Sequence, residues 1–571
     1  MSSYLYNVNY SIMIRYILKS FVWLLLTIIL LQCTVTSILA QDINKEVYVV
    51  RPYEPTLSDA AKYNFLPISD ELEPIPPHFE YDVAPKRYVS SFEPEPIKPA
   101  RTVATSLPKI YKSWLKIGFG NYETPLAEFN ISNLRSKNYA LGASLFHKSS
   151  RGNLELINNH RVPAGYAINN INLYGKRFFN NASLNGNLRF DQKGFYYYGY
   201  NTSLFADSLP IIENNSIKQR TYLLGFDFNL NSTYTDSSYL NYKLKASYDY
   251  FWDKSKNNES NIIVEGSLDK NLFGLQMGLN LSVDNSKLNS ALDTINNTIL
   301  KFNPWISKRS ADWKFMLGFE LVTDAADISN FYLFPRANLD IIIIENILVP
   351  FIGLSGELQK NNYQQVFNEN QFIVPGLRLK NTNSNLIAYA GLKGNISSVI
   401  RFRADVSYAV YKNMHFFTND TLVPLQNQFT AVYGDVDLIT YHGQFVVQPS
   451  ANVQIIVDGN YYEYNVFEQE KPWHKPDFDV MFDAEFKFSS KFTLGTGFTV
   501  TGNRWIRNYQ QPNGIGKIKP VADINLKLNY NYSRVFSLFS ELSNIADRSY
   551  MIWNQYPSQR FNFLFGLTYK L

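Results

Sequence analysis

Strict alternation of apolar and polar residues, held over ten or more positions and repeated along most of the chain, restricts this protein more than any other feature. In "DFDVMFDAEFKF", Phe478, Val480, Phe482, Ala484, Phe486 and Phe488 share one face. Asp477, Asp479, Asp483, Glu485 and Lys487 share the other. "ADINLKLNYNY" sets Ala522, Ile524, Leu526, Leu528, Tyr530 and Tyr532 against Asp523, Asn525, Lys527, Asn529 and Asn531. "LNYKLKASYDY" and "IRFRADVSYAV" repeat the pattern. A period of two gives strands with two unlike faces. Soluble strands average about five or six residues, whereas a tilted strand needs roughly 9–11 to cross a bilayer.

A soluble sandwich would turn the apolar faces inward, and an outer-membrane barrel turns them to lipid. Charge decides between the two. Arg401, Arg403 and Asp405 alternate with apolar neighbours, as do Lys243, Lys245 and Asp249. Such rows are prohibitive in a dry core and tolerated in a wet lumen. Aromatic clusters at strand ends, "FYYYGY" at 195–200 and "YDYFW" at 248–252, suit interfacial girdles.

Strands are predicted near 114–122, 125–136, 139–150, 166–179, 182–200, 217–232, 240–254, 260–273, 274–288, 298–308, 313–326, 331–344, 347–363, 386–398, 399–412, 430–448, 452–466, 476–490, 491–507, 518–533, 536–548 and 560–571. The fold class is therefore all-β, a transmembrane antiparallel barrel of about 22 strands (range 18–22). Even-to-odd links are mostly tight, as at 180–182, 344–346, 489–491 and 532–534. Odd-to-even links are mostly long: 151–165, 201–216, 364–385, 413–429, 467–475 and 508–517. Short periplasmic turns opposite long outer loops are the bacterial pattern. A lumen of this size calls for a plug or a partner.

The N-terminal region reads differently. Arg15 and Lys19 precede the uncharged run "SFVWLLLTIILLQCTVTSILA", which ends at Ala40, so residues 1–40 are expected to be an export signal. The one cysteine, Cys33, falls inside that run, leaving a mature chain without disulfides or thiolate sites. Eleven of the 25 prolines lie between Pro52 and Pro108. Proline fixes φ and removes donors, so 41–110 is expected to be an extended periplasmic segment, free to dock on a protein partner or enter the lumen. The domains expected are thus 1–40, 41–110 and the barrel, 111–571. Net charge is only +5 with no basic block, which argues against nucleic acid as a partner.

The last 31 residues, "ELSNIADRSYMIWNQYPSQRFNFLFGLTYKL", resemble the ending of TonB-dependent receptors, with Asn544, Tyr550, Trp553, Tyr556, Pro557, Arg560 and Gly566 at the matching places. The stretches "VYVVRPYEPTLSDAAKYNFLP" and "NYETPLAEFNISNLRSKNYALGA" look like receptor-like barrels of Bacteroidota. Resemblance implies an integral outer-membrane location, contact with outer-membrane lipids, and recognition by barrel-assembly machinery through Gly566, Tyr569 and Leu571. Leu564 departs from the polar residue usual two positions before that glycine. Such receptors also carry a folded plug of more than about a hundred residues before the barrel. Residues 41–108 are fewer and proline-rich, so energy-coupled import is not implied.

No nucleophile-elbow, zinc-protease or phosphate-loop pattern is present, and no cofactor is expected. His78, His147, His160, His415, His442 and His474 are scattered without metal-type spacing. Asp207-Ser208-Leu209, Asp293-Thr294-Ile295 and Asp420-Thr421-Leu422 look like the O-glycosylation sequence of Bacteroidota, with Ser208, Thr294 and Thr421 as acceptors. The function expected is passage of a solute through the barrel, with no enzymatic activity. The alternative is a structural or accessory subunit of an outer-membrane assembly or secretion complex.

Overall fold

In a computed structural model the alternating segments pair edge to edge into one antiparallel sheet of 22 strands. The structure describes residues 110–571, apart from 134–135, 157–159, 201–211, 235–237, 292, 326–328, 509–510 and 512. The chain divides into two units, Met1–Val103 and Ala104–Leu571. The expected signal segment, most of the proline-rich segment and His78 lie outside the described residues.

The strands are β1 (Ser113–Gly120), β2 (Thr124–Ser132), β3 (Tyr139–Ser150), β4 (Tyr166–Phe178), β5 (Ala182–Tyr196), β6 (Lys218–Ser232), β7 (Asn241–Asp253) and β8 (Asn258–Leu272). They continue as β9 (Leu275–Asn289), β10 (Thr294–Arg309), β11 (Trp313–Ala325), β12 (Ser329–Ile341), β13 (Val349–Gln359), β14 (Thr382–Asn395) and β15 (Ile400–Asn419). The last seven are β16 (Phe429–Ser450), β17 (Val453–Val466), β18 (Phe478–Lys487), β19 (Phe492–Thr501), β20 (Val521–Asn531), β21 (Phe536–Ser543) and β22 (Asn562–Lys570). Each overlaps one expected strand, in the expected order.

The ring is shut by β1 against β22, with Trp114 opposite Lys570 and Gly118 opposite Gly566. Leu571 N–H donates to Ser113 O at 2.7 Å. Closure brings the two backbones close: a Cβ on Gly566 would lie 2.1 Å from Ile117 O and 2.5 Å from the Phe539 ring. No side chain fits there.

Register fixes the facing of every strand, because laterally paired residues share a face. Ile171, Leu173, Leu188, Leu224, Phe226, Leu244, Ile262, Val264 and Leu268 all point outward and are exposed. Together they form an apolar belt far larger than a soluble surface carries, which is the lipid-facing band of a membrane barrel. The alternate positions point inward and pair with one another: Arg189 with Asp249 at 2.7 Å, Lys245 with Glu265 at 3.0 Å, and Lys116 with Glu541 at 3.0 Å. Arg403 bonds Asp405 at 2.6 Å, and His442 bridges Asp405 and Asp458 at 3.0 and 3.3 Å. Leu564 also points inward, where it packs on Leu126, Phe146 and Phe539. The apolar wall of the seam accounts for its departure from the usual polar residue.

Several strands depart from their expected lengths, among them β18, β19 and β21, which run to only 10, 10 and 8 residues. β15 and β16 run to 20 and 22 residues, well beyond a bilayer crossing. A bulge between Tyr411 and Met414, with Asn413 at φ 54°, turns β15 so that both Phe416 and Phe417 are buried above it. β13 stops at Gln359 and β5 at Tyr196, because the residues that follow fold into the mouth of the barrel.

Candidate functional site

The loop-side mouth is built over by a cap. After β13, Lys360 is buried against Asn261 (2.6 Å) and pairs with Asp284. Asn362 then caps a short helix, α1 (Tyr363–Glu369), accepting from Gln365 N at 2.8 Å. Glu259 of β8 accepts the Tyr363 and Gln364 N–H groups at 2.9 and 2.8 Å. These donors have no partner inside the helix, and the carboxylate suits the positive end of its dipole. Tyr363 donates to Asp253 at 2.9 Å, and Val366 and Phe367 are buried. At the other end Glu369 accepts from His415 Nε2 at 2.7 Å and Lys475 Nζ at 2.9 Å. Burial pushes the Glu369 carboxyl up, but the His415 hydrogen bond and the Lys475 charge outweigh it and hold the group down at about 2.

Past the helix, Phe372 stacks on Tyr556 with ring centres 3.7 Å apart, and Tyr198 meets Tyr556 edge-on at 4.9 Å. Tyr198 donates to Pro557 O at 2.9 Å, and Asn427 donates to Tyr197 O at 2.6 Å. Tyr556 is fully buried and donates to Asn427 O. Segments following β5, β13, β15 and β21 therefore meet over the lumen. His474 is buried among Phe429 and Trp553, donates from Nδ1 to Phe417 O at 2.7 Å, and accepts from Asn554 N at 3.4 Å. Burial pushes its pKa down to about 3, so the ring is neutral and serves as a packing and hydrogen-bonding piece.

Against the helix lies a chamber of about 490 Å³, lined by Lys193, Glu369, Asp523 and Tyr550 and also by Phe195, Tyr198, Phe367, Phe372 and Trp553. Lys193 donates to Asn368 at 3.2 Å. Burial and the nearby Asp523 charge push the Tyr550 phenol up to about 12, keeping it a neutral donor. The walls set both charges, amides and a phenol beside several aromatic faces, a set suited to a small solute with both polar and apolar parts.

By composition and position the aromatic residues of 195–200 suit an interfacial girdle. In the structure Phe195, Tyr197, Tyr198 and Tyr200 belong to the buried core of the cap. Of "YDYFW", Tyr250 and Trp252 face outward while Phe251 is buried inside. His415 and His474 join the cap, His442 sits on the lumen wall, and His147 faces outward. Thr294 and Thr421 are exposed on the loop side, and Ser208 lies outside the described residues. Gly566 faces the seam interior, while Tyr569 and Leu571 are exposed.

No protein-family model matches the sequence, and no curated protein matches it. Solved structures do match the fold. The siderophore receptor PirA from Acinetobacter baumannii superposes with a TM-score of 0.62 at 10% identity, over 82% of this chain and 81% of that one. The FrpB iron transporter from Neisseria meningitidis gives 0.64 at 9% identity, over 81% and 82%. The pyoverdine outer membrane receptor FpvA from Pseudomonas aeruginosa PAO1 gives 0.60 at 10% identity, over 82% and 79%. At such identities the likeness establishes fold. The chain is an integral outer-membrane β-barrel, and its 22-strand architecture is that of TonB-dependent receptors.

Proposed function

We propose that this barrel carries a solute across the outer membrane, and that the folded cap is its outer gate. The observation that carries this reading is a charged lumen wall and a chamber of mixed polar and aromatic lining, bordered by a cap made of separate loop segments. Burying Phe372, Phe417 and Phe429 is worth roughly 1.5–3 kcal/mol each. Opening therefore needs a ligand or partner that binds the open state better, not loop fluctuation alone. Residues 41–110 would either enter the lumen or recruit a periplasmic protein. Gly566, Tyr569 and Leu571 would serve barrel assembly.

Single-barrel conductance in planar bilayers tests the reading. The intact protein should be nearly closed, and a Phe372→Ala/Tyr556→Ala variant should conduct. Deleting 41–110 in that background should raise conductance further. The packed cap also favours a second reading, a non-transporting accessory barrel. A folded double variant that stays electrically silent, even without 41–110, would support that alternative and overturn transport.

A further inference from the structure

The outward face of β3–β6 carries a graded series of side chains that the transport reading does not use. Four successive lateral rows can be followed up the wall toward the loop side. Leu173, Leu188 and Phe226 form the first, and Ile171, Phe190 and Leu224 the second. The third is Asn169, Gln192 and Tyr222, with His147 donating from Nδ1 to Asn169 at 2.6 Å. The fourth is Ala167, Gly194 and Arg220, with Tyr196 and Lys218 just above.

Two residues advance a strand by about 6.6 Å. The wall thus passes from hydrocarbon-like to basic within roughly 13 Å of strand, from the second row to the fourth. Tyr222 stacks on Trp252 at 5.1 Å, an aromatic layer at the depth where a bilayer interface belongs. Above it lies a groove of about 770 Å³. Ala167 and Gly194 hold its floor low, and Arg220 and Lys218 stand at its edge. Lys218 lies 5.7 Å from the Tyr196 ring centre. Among the described residues no carboxylate lies within ion-pair distance of Arg220 or Lys218. Their charge is available to an outside anion.

We propose that this groove binds the phosphate-bearing headgroup of an outer-leaflet glycolipid, whose acyl chains descend along the Ile171, Phe190 and Leu224 row. Arg220 offers a fork to the phosphate and Lys218 a second cation. The His147–Asn169–Gln192 amide row faces the sugar. Continuity of the basic groove with the apolar rows selects an amphiphile over a free anion. The long-loop end of the barrel also faces the leaflet in which phosphorylated glycolipid resides.

Native mass spectrometry of the detergent-solubilised full chain tests this, with bisphosphorylated lipid A and the same lipid A stripped of phosphate as probes. The intact barrel should bind the phosphorylated form at least ten-fold more tightly. Arg220→Gln/Lys218→Gln should remove that preference while keeping the heat-modifiable gel mobility of a folded barrel. Arg309→Gln, at the opposite rim, should keep it. Equal binding of both lipids, or an unchanged preference in the double variant, would overturn the proposal. So would displacement by excess inorganic phosphate as effective as displacement by lipid, which would mean an ion site alone.

Discussion

Glu369 shows how one carboxylate can set the condition under which the cap holds. Its pKa lies at about 2 against an ordinary 4.5, so ionisation of the folded form is favoured. A depressed carboxyl stabilises fully above the ordinary value, and that contribution is lost as pH falls from there toward the folded value. The latch to His415 and Lys475 should thus hold at neutral pH and weaken between about 4.5 and 2. Glu369→Gln should erase this acid-dependent step in protease accessibility of the cap while leaving the barrel intact. At the seam, Gly566→Val would drive a side chain into Ile117 O and the Phe539 ring. The expected result is failure to form the heat-modifiable folded species. Neither the steric role of Gly566 nor the latch at Glu369 is legible in the sequence. Resemblance points to Gly566, but its steric necessity depends on Phe539, 27 positions earlier in the chain. Glu369 and its two partners come from three separate segments, so no local pattern joins them.

At the level of elements, the strands were legible and the cap was not. Alternation such as Phe478 to Phe488 against Asp477 to Lys487 is a local signal, readable one strand at a time. Helix α1 has only seven residues, too few to be stable in isolation, and its stability comes from Glu259, Asp253 and the aromatic residues around it. The aromatic run at 195–200 suits a girdle or a core equally well by composition. Only the return of Phe372 and Tyr556 over the mouth decides that it is core. Phe372→Ala should cost about 3–5 kcal/mol of local cap stability, the range for emptying a buried aromatic site. Hydrogen exchange should then report faster exchange at the Tyr363–Glu369 amides, with the wall strands unaffected.

For the whole molecule, the facing of the ring makes unequal demands on adjacent residues. Leu526 is paired with Thr496 and Leu542 on the lipid side, and Lys527 with Gly495 and Glu541 on the lumen side. Leu526→Arg should lower insertion by roughly 2–4 kcal/mol, the penalty for a cation at mid-depth, whereas Lys527→Gln should be tolerated. Folded yield in liposomes of defined thickness measures both, and equal yields would refute the assigned facing. The seam has a further consequence, one of timing. Hairpins can form as each neighbour becomes available, but the ring locks only when Lys570 reaches Trp114. Until that moment the chain is an open ribbon with two unsatisfied borders. Losing β22 would not yield a narrower cylinder, because β1 and β21 would each be left with an unpaired edge. A protein of this design is committed late and all at once, and it must be kept from premature company until its two ends have met.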